Sequence, residues 1–309
     1  MIIKQRCGII TRMVKEEVKV MHRILEKETL ASGIKAMIIE APLVARKVKP
    51  GQFIILRIHE KGERIPLTVA QFNPEKGTVR IVFQEVGKTT EHLGTLKPGD
   101  TLRDFIGPLG LPMEINLHGG RVVCIAGGAV PIFLEAKAYK KAGNEVLTIL
   151  GARTQELIIL EKEMREVSDK VYITTDDGTY GIKGFVTEAL KRIIAEGSNV
   201  SEVFAVGPIP MMKAVSEITR PYGIKTLVSL NSIMVDGTGM CGTCRVTVGG
   251  KMKFTCVDGP TFDGHQVDFD ELALRQKRFL AQEKLSLELF RGKCKKEAVV
   301  ESRRPTKES

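Results

Sequence analysis

The hydrophobic pattern of this chain changes type near residue 117, and that change limits the folds open to it. Between 21 and 116, short β-rich runs such as GQFIILRI and TVRIVFQEV are separated by turns that contain Pro, Gly and Asn. No long helical period interrupts them, which is typical of an antiparallel barrel. From 117 to 228, buried strand patterns such as RVVCIAGG and EVFAVGP alternate with amphipathic helical stretches. This alternation predicts a doubly wound parallel sheet, which binds ligands at the carboxyl ends of its strands.

Three further segments complete the predicted organisation. Residues 229–270 are Gly-rich and Cys-bearing, and they are expected to form a small subdomain. Residues 271–309 are expected to form a C-terminal helix and a basic tail, with Asp268 or Asp270 as the helix N-cap. Residues 1–20 are interpreted as a non-essential extension, because later methionines could each be the true start.

Composition narrows the class of protein. The formal net charge is +10, but the basic residues are spread along the chain, no basic cluster is interleaved with aromatic residues, and Trp is absent. A lysine-rich solvated surface is therefore favoured, and nucleic-acid binding is not. The N-terminus lacks the apolar core of a signal peptide, and no apolar run is long enough to span a bilayer. These features predict a cytoplasmic protein without a membrane association.

The strongest chemical signal is the stretch VDGTGMCGTCRV, residues 235–246. With the cysteine at 256 it gives the spacing D-x4-C-x2-C-x11-C, which offers four anionic ligands: Asp236, Cys241, Cys244 and Cys256. Plant-type [2Fe–2S] proteins use C-x4-C-x2-C and a distant fourth cysteine, so an aspartate stands where a cysteine is expected. Zinc is the competing metal, because three thiolates and a carboxylate also suit it. The other three cysteines are isolated and are interpreted as packing or incidental residues.

Two motifs in the barrel segment could bind phosphate. In RIPLTVA, Arg64 would place its guanidinium on a pyrophosphate, and Thr68 would then lie near the reactive edge of a flavin. The alternative for this motif is an ordinary edge strand. In EVGKTTEHL, the backbone from Gly87 to Thr90 could face an anion at a helix N-terminus. The alternative for this motif is a plain N-cap by Thr89 or Thr90.

The parallel-sheet segment carries candidate dinucleotide motifs. Two strands end in a turn that leads into a helix, at Gly127-Gly128 and at Gly207-Pro208. Such turns allow close approach of a pyrophosphate, although both could be simple tight turns. The acidic pair Asp176 and Asp177 would repel a 2′-phosphate and therefore favours NAD(H) over NADP(H). The alternative is a solvated acidic turn.

The order of barrel, α/β segment and cysteine loop resembles the ferredoxin–NADP reductase superfamily. Within it, the chain resembles the iron–sulfur electron-transfer subunits related to that of dihydroorotate dehydrogenase. The runs SLNSIMVDGTGMCGTCRVTVGG and FTCVDGPTFDGHQVDFDEL carry the resemblance, and PGQF, RIPLT, GPLG, TDDGTYGIKG and GPIPMM extend it over about residues 21–275. The aspartate at 236 is similar to the small subunits of NADH-dependent reduced ferredoxin:NADP+ oxidoreductases, whereas the dihydroorotate dehydrogenase relatives have cysteine there. The glycine turn AGGAVPIF departs from the family by being shorter than its G-G-x-G pattern.

The resemblance implies a flavoprotein subunit that passes electrons between NAD(H), FAD and a [2Fe–2S] cluster. It implies a heterodimer with a larger subunit that carries its own FAD and [4Fe–4S] clusters, reduces NADP+ and exchanges electrons with ferredoxin by flavin-based bifurcation. No acid–base residues are implied. The implied FAD residues are Arg64, Pro66, Leu67, Thr68, Gly87, Lys88, Thr89 and Thr90. The implied NAD(H) residues are Gly127, Gly128, Asp176, Asp177, Gly207 and Pro208, and the implied cluster ligands are Asp236, Cys241, Cys244 and Cys256.

Two alternatives remain at this stage. One is a dihydroorotate dehydrogenase-type electron-transfer subunit. The other is a non-enzymatic docking module that carries a cluster or a zinc ion, with a vestigial nucleotide site.

Overall fold

A computed structural model describes residues 22–128, 131–197 and 199–301, which form two seven-stranded sheets, one separate β-hairpin and the helices around them. The predicted extension at 1–20 and the end of the predicted basic tail lie outside the described residues. Within the described part, no helix combines the length and the apolar character that a membrane span needs.

The first sheet is antiparallel throughout, with the strand order β6-β1-β2-β5-β4-β3-β7, and it confirms the predicted barrel. Alternate side chains point inward, among them Ile39, Ile54 and Ile81, and form an apolar core. The strands are β1 His22–Ala31, β2 Ile34–Glu40, β3 Phe53–Arg57, β4 Ile65–Asn73, β5 Thr78–Gln84, β6 Thr101–Leu102 and β7 Asp104–Leu109. Two short helices lie between strands of this sheet: α1 Pro42–Ala45 and α2 Lys88–Thr95.

The second sheet has the order β11-β10-β9-β8-β12-β13-β16 and is parallel except at β16. Its strands are β8 Arg121–Gly127, β9 Glu145–Ala152, β10 Lys170–Thr175, β11 Ile182–Lys183, β12 Val200–Val206, β13 Lys225–Ser229 and β16 Thr261–Asp263. The helices are α3 Phe133–Lys141, α4 Glu161–Val167, α5 Val186–Ala195 and α6 Ile209–Thr219. Helices α3 and α4 cover one face, whereas α5 and α6 cover the other. The sheet is therefore doubly wound as predicted, and its order reverses between β8 and β12.

The C-terminal part of the chain packs against both sheets. Its elements are the hairpin β14 Arg245–Val248 and β15 Lys251–Phe254, then α7 Thr255–Asp258, α8 Phe269–Gln276 and α9 Leu280–Glu301. Asp268, one of the two predicted caps, accepts a hydrogen bond from the backbone N–H of Glu271 at 2.9 Å and begins α8. Helix α9 reaches back to α2, where Arg291 pairs with Glu91 and Phe290 stacks on His92.

Candidate cofactor sites

The cysteine loop brings two of its thiols together in the protein interior. Cys244 and Cys256 are buried, and their sulfur atoms are 3.2 Å apart. Cys241 is exposed. The Asp236 carboxylate accepts the backbone N–H groups of Thr238 at 3.0 Å and of Cys241 at 2.8 Å. Hence three of the predicted ligands lie on the loop, and the fourth, Cys256, lies on α7 after the β14–β15 hairpin.

The surroundings of these groups set their protonation. The hydrogen bond from the Thr238 N–H, reinforced by that from Cys241, lowers the pKa of Asp236 although burial opposes the shift. Burial raises the pKa of Cys241, but hydrogen bonds from Thr243 outweigh it and leave that pKa below its usual value. Burial and the neighbouring Cys244 sulfur raise the pKa of Cys256. The buried thiol therefore keeps its proton until a metal displaces it.

The donor set fits an iron–sulfur cluster by its chemistry. Thiolates are the usual ligands of [2Fe–2S] iron, and a carboxylate is a harder anionic donor that iron also accepts. Three glycines of the loop have positive φ, which lets the backbone wrap closely: Gly237, Gly239 and Gly242. Among the described residues, no three His, Cys, Asp or Glu side chains converge closely enough to hold a metal ion in the present arrangement. The fit therefore rests on the donor types and the loop, and not on a preformed cage.

The loop packs directly on the barrel. Cys244 and Cys256 share an apolar cluster with Met234 of the loop and with Phe53 and Ile55 of β3. A backbone hydrogen bond from Leu111 to Gly259, 2.6 Å long, joins the same two regions. The cysteines are thus fixed against the outer side of one barrel strand.

Three of the predicted flavin residues, Pro66, Leu67 and Thr68, lie on the next strand, β4. In the β3–β4 pair, Thr68 is opposite Phe53 and Pro66 is opposite Ile55. Residues directly opposite each other share one face of a sheet, so Thr68 and Pro66 lie on the side that the cysteine loop covers. Leu67, in contrast, packs against the barrel core.

The second flavin motif forms the start of α2. Gly87 is the N-cap, and the Thr90 hydroxyl accepts the Gly87 N–H at 3.0 Å, so the alternative of a cap by Thr89 or Thr90 is wrong. Glu63 accepts a hydrogen bond from the Thr89 hydroxyl and pairs with Lys88 at 3.2 Å. A carboxylate thus occupies two side-chain donors at the start of α2, the Thr89 hydroxyl and the Lys88 ammonium.

Arg64 follows Glu63, is exposed, and has no hydrogen bond or ion pair with any described residue. Its guanidinium is therefore available to a ligand.

Four of the six predicted dinucleotide residues line a cleft of about 600 Å³ along the carboxyl ends of the parallel strands. Gly127, Gly128, Asp176 and Pro208 line it. Gly207 lies beside it, where a Cβ atom would come within 3.0 Å of the Gly127 carbonyl oxygen.

Asp177 has a different environment from Asp176. It accepts hydrogen bonds from the N–H and the hydroxyl of Thr179 at 3.0 and 2.7 Å, which lower its pKa. The structure therefore brings Asp176, but not Asp177, to the cleft.

Several cleft residues have no motif in the sequence. Gly151, the last residue but one of β9, pairs with Gly127 of β8 and with Thr174 of β10. Arg153, Phe185 and Thr187 also line the cleft, and Ile34 and Gln84 line it from the barrel. A glycine near the carboxyl end of a buried strand could have drawn attention to Gly151. The remaining contacts depend on how the two sheets meet.

Comparisons with known proteins agree with this architecture. The family model for the iron–sulfur cluster binding domain of dihydroorotate dehydrogenase B matches residues 231–268. A Thermotoga maritima protein, a homologue of the dihydroorotate dehydrogenase B (NAD(+)) electron transfer subunit, is 48% identical over 273 residues, which cover 87% of this chain and 95% of that protein. A probable subunit of this kind from Methanocaldococcus jannaschii is 36% identical over 76% of this chain and 90% of that protein.

Among solved structures, one similar chain comes from work on flavin-based electron bifurcation by an NADH-dependent reduced ferredoxin–NADP oxidoreductase. It has a TM-score of 0.83 and 47% identity, covering 88% of this chain and 98% of that chain. An Amycolatopsis cytochrome P450 reductase, 22% identical with a TM-score of 0.55, shares the fold over 65% of each chain.

The fold and the cysteine loop define an electron-transfer protein of ferredoxin-reductase architecture with an iron–sulfur cluster binding domain. The chain belongs to the family of dihydroorotate dehydrogenase B electron-transfer subunits and their homologues. The family predicted from the motifs is thereby confirmed, and its members are electron-transfer subunits of oxidoreductases. This membership also supports the predicted cofactors, which are FAD, NAD(H) and a [2Fe–2S] cluster.

Proposed function

We propose that this chain transfers electrons between NAD(H) and a larger partner subunit through FAD and a [2Fe–2S] cluster. In this proposal residues 21–116 hold FAD, 117–228 hold NAD(H), and 229–270 hold the cluster. When bound, the flavin supplies both hydride and single-electron chemistry, and the cluster supplies single-electron chemistry. The protein residues bind and orient these groups, and no acid–base residue is needed.

One observation carries the proposal: a single barrel strand separates the candidate flavin residues from the cysteine loop. Phe53 and Ile55 of β3 touch the cysteine cluster and stand directly opposite Thr68 and Pro66 of β4. Neighbouring strands are about 4.8 Å apart. A flavin held at β4 would therefore lie close to a cluster held by Cys244 and Cys256.

The position of the dinucleotide cleft supports the same proposed electron path between NAD(H), FAD and the cluster. Its walls include Gly127 and Pro208 of the parallel sheet and Gln84 of the barrel, so it opens at the junction of the two sheets. Ligands of doubly wound sheets bind where the strand order reverses, here between β8 and β12. A nicotinamide bound there would face the barrel that carries the candidate flavin residues.

The finer assignment is an NADH-dependent ferredoxin:NADP+ oxidoreductase that uses flavin-based electron bifurcation. The larger partner would carry its own flavin and [4Fe–4S] clusters and would connect to ferredoxin. The similarity to a chain of an NADH-dependent reduced ferredoxin–NADP oxidoreductase supports this assignment. The carboxylate at 236 supports it too, since the resemblance described above associates aspartate at this position with those reductases.

Anaerobic purification of the full chain tests the proposed function. We expect flavin and [2Fe–2S] absorbance, about two iron atoms per chain, and bleaching of the flavin by NADH. Zinc without iron would instead support a zinc-binding docking module. A flavin that NADH does not bleach would indicate a cluster-bearing module with a vestigial nucleotide site.

A dihydroorotate dehydrogenase-type electron-transfer subunit is the second candidate, because the matching cluster domain and the named relatives are of that type. Co-purification with the natural partner separates the two candidates. A partner that oxidises dihydroorotate would establish the second, whereas a partner that reduces NADP+ with ferredoxin would establish the first.

A further inference from the structure

Three arginines lie together beside the cysteine loop. Arg245, Arg275 and Arg278 line one surface cavity with Thr243, the loop residue that directly precedes the candidate ligand Cys244. No acidic residue lines this cavity in the part of the chain that the structure describes. Three cations that share a cavity repel one another, so a nearby anion is needed to offset the repulsion.

The three arginines differ in how they are held. Arg245 and Arg278 are exposed, and their guanidiniums make no hydrogen bond or ion pair with any described residue. Arg275 is half-buried, and its Nη2 atom donates a hydrogen bond to the Thr243 carbonyl oxygen at 3.3 Å. Arg275 is therefore the arginine whose charge is fixed against the loop backbone.

Helix α8 places Arg275 at this point. Leu272, one turn earlier, is 1% exposed and packs in the same core as Val246 of β14. Residues three apart lie on the same face of a helix, so Arg275 faces the hairpin that follows the loop. Its position in the last turn of α8 also suits a cation. The fold thus holds the guanidinium beside the loop, one residue away from Cys244.

The electrostatic surroundings of Arg275 include both the other arginines and the loop. Burial lowers the pKa of Arg275, and the guanidiniums of Arg245 and Arg278 lower it further. Glu271 and the Cys244 sulfur oppose this shift. The Glu271 carboxylate is shared, because it also accepts a backbone N–H of β14 at 3.0 Å. An arginine keeps its proton at neutral pH in any case, so Arg275 is a permanent positive charge close to a candidate ligand.

The candidate cluster would supply the negative charge that this cavity lacks. With its sulfides and four anionic ligands, a [2Fe–2S] cluster on this loop is an anion, and reduction adds a further negative charge. A fixed positive charge nearby stabilises the reduced form more than the oxidised form. The reduction potential is therefore expected to depend on the charge at position 275.

We propose that Arg275 raises the reduction potential of a [2Fe–2S] cluster held by the cysteine loop. The hydrogen bond to Thr243 holds the guanidinium in place, and its charge acts on the cluster beside Cys244. This assignment rests on the proposed function, because it concerns the cluster of that electron path. Arg275 does not coordinate iron.

The test compares Arg275→Gln, which removes the charge, with Arg275→Lys, which keeps it. Each full-length variant is purified anaerobically with its cluster, and the reduced fraction is measured by electron paramagnetic resonance during a redox titration. At the wild-type midpoint, we expect Arg275→Gln to lower the ratio of reduced to oxidised cluster about 10-fold, which corresponds to about 59 mV for a one-electron couple. Arg275→Lys should stay within about 3-fold of wild type.

Two further variants serve as controls. Arg165→Gln removes a charge from α4, which covers the face of the second sheet opposite to α8, and it should leave the ratio unchanged. Arg278→Gln removes an exposed charge from the same cavity, and its effect should be smaller than that of Arg275→Gln and should disappear at about 1 M salt.

Iron content separates this role from a purely structural one. If Arg275 only supported the loop, Arg275→Gln and Arg275→Lys would both lose iron, because lysine lacks the planar fork of arginine. That result would overturn the assignment. So would an unchanged ratio in Arg275→Gln at full iron content, or equal shifts in Arg275→Gln and Arg275→Lys. If the wild-type chain holds zinc or no metal, the proposed function itself fails and the assignment fails with it.

Discussion

Gly237 of the cysteine loop lies against Ile55 of the barrel, and a Cβ atom on Gly237 would come within 2.5 Å of the Ile55 Cδ1 atom. Gly237 also has a φ of +74°, which side chains larger than hydrogen disfavour. The contact joins two parts of the chain about 180 residues apart and holds the thiols next to β3.

The first prediction concerns this contact. Gly237→Ala should lower the free energy of unfolding by about 3 kcal/mol and reduce the iron content per chain, because it adds both backbone strain and an overlap with β3. The matched control is Gly250→Ala in the β14–β15 turn, which has a similar φ of +72° but no atom within 4 Å of the added Cβ. In the control, the free energy of unfolding should fall by about 1 kcal/mol and the iron content should stay the same. Urea unfolding and iron analysis measure both, and equal losses in the two variants would contradict the prediction.

The second prediction concerns the ligand at 236. Asp236→Cys should retain the cluster but lower its reduction potential, since a thiolate donates more charge to iron than a carboxylate does. Redox titration followed by electron paramagnetic resonance measures the potential. An unchanged or higher potential would show that Asp236 does not coordinate iron, or that its hydrogen bonds to Thr238 and Cys241 dominate.

The third prediction separates the loop cysteines from a packing cysteine. Cys256→Ser should lose the cluster absorbance, because Cys256 adjoins Cys244 in the candidate site. Cys124→Ala should keep it, because Cys124 is fully buried among β8, α3 and α4 on the far sheet. Loss of iron from Cys124→Ala, at a stability equal to that of wild type, would argue against the assignment of the loop.

The fourth prediction follows from a buried acid at the junction of the two sheets. Glu135 of α3 is 3% exposed and accepts the Gly51 N–H of the barrel at 2.9 Å. Burial raises the pKa of Glu135 from 4.5 to about 7. Between pH 4.5 and about 7, Glu135 therefore keeps its proton in the folded protein but releases it in the unfolded chain. Stability is lost as the pH rises through this window, by about 3 kcal/mol in total.

Glu135→Gln keeps the acceptor for Gly51 and removes the titration. Relative to this variant, wild type should become progressively less stable from pH 5 to pH 8 in urea unfolding. Glu145→Gln, which alters an exposed acid at the start of β9, serves as the control and should follow the wild-type curve. If the free energy of unfolding changes with pH in the same way for wild type and Glu135→Gln, the prediction is wrong.

The fifth prediction concerns the candidate flavin site. Arg64→Ala should weaken FAD binding about 10-fold or more, because the exposed guanidinium has no partner among the described residues to compete with a phosphate. Arg64→Lys should bind with intermediate affinity, since an ammonium keeps the charge but not the two-pronged geometry. Arg23→Ala, on a strand that lies three positions from β4, should behave as wild type. FAD retention during gel filtration and fluorescence titration measure these affinities.

The sequence by itself determined the two sheet types, the family and the spacing of the candidate cluster ligands. These features are local, because alternating apolar residues, strand-to-helix periods and a cysteine spacing each lie within a few tens of residues. The turn at Gly127-Gly128 and the start of α2 could also be placed from such patterns.

Only the tertiary structure decided which neighbouring residues share a site. Asp176 and Asp177 are equivalent in sequence, but one lines the cleft and the other closes a turn with Thr179. Thr174 was not among the predicted site residues, but it lines the cleft because it lies beside Gly151 of the adjacent strand. The cysteine loop lies one strand away from β4 because it packs on β3, which is far away in the chain. Such relationships arise from packing between distant segments, and no local pattern of residues encodes them.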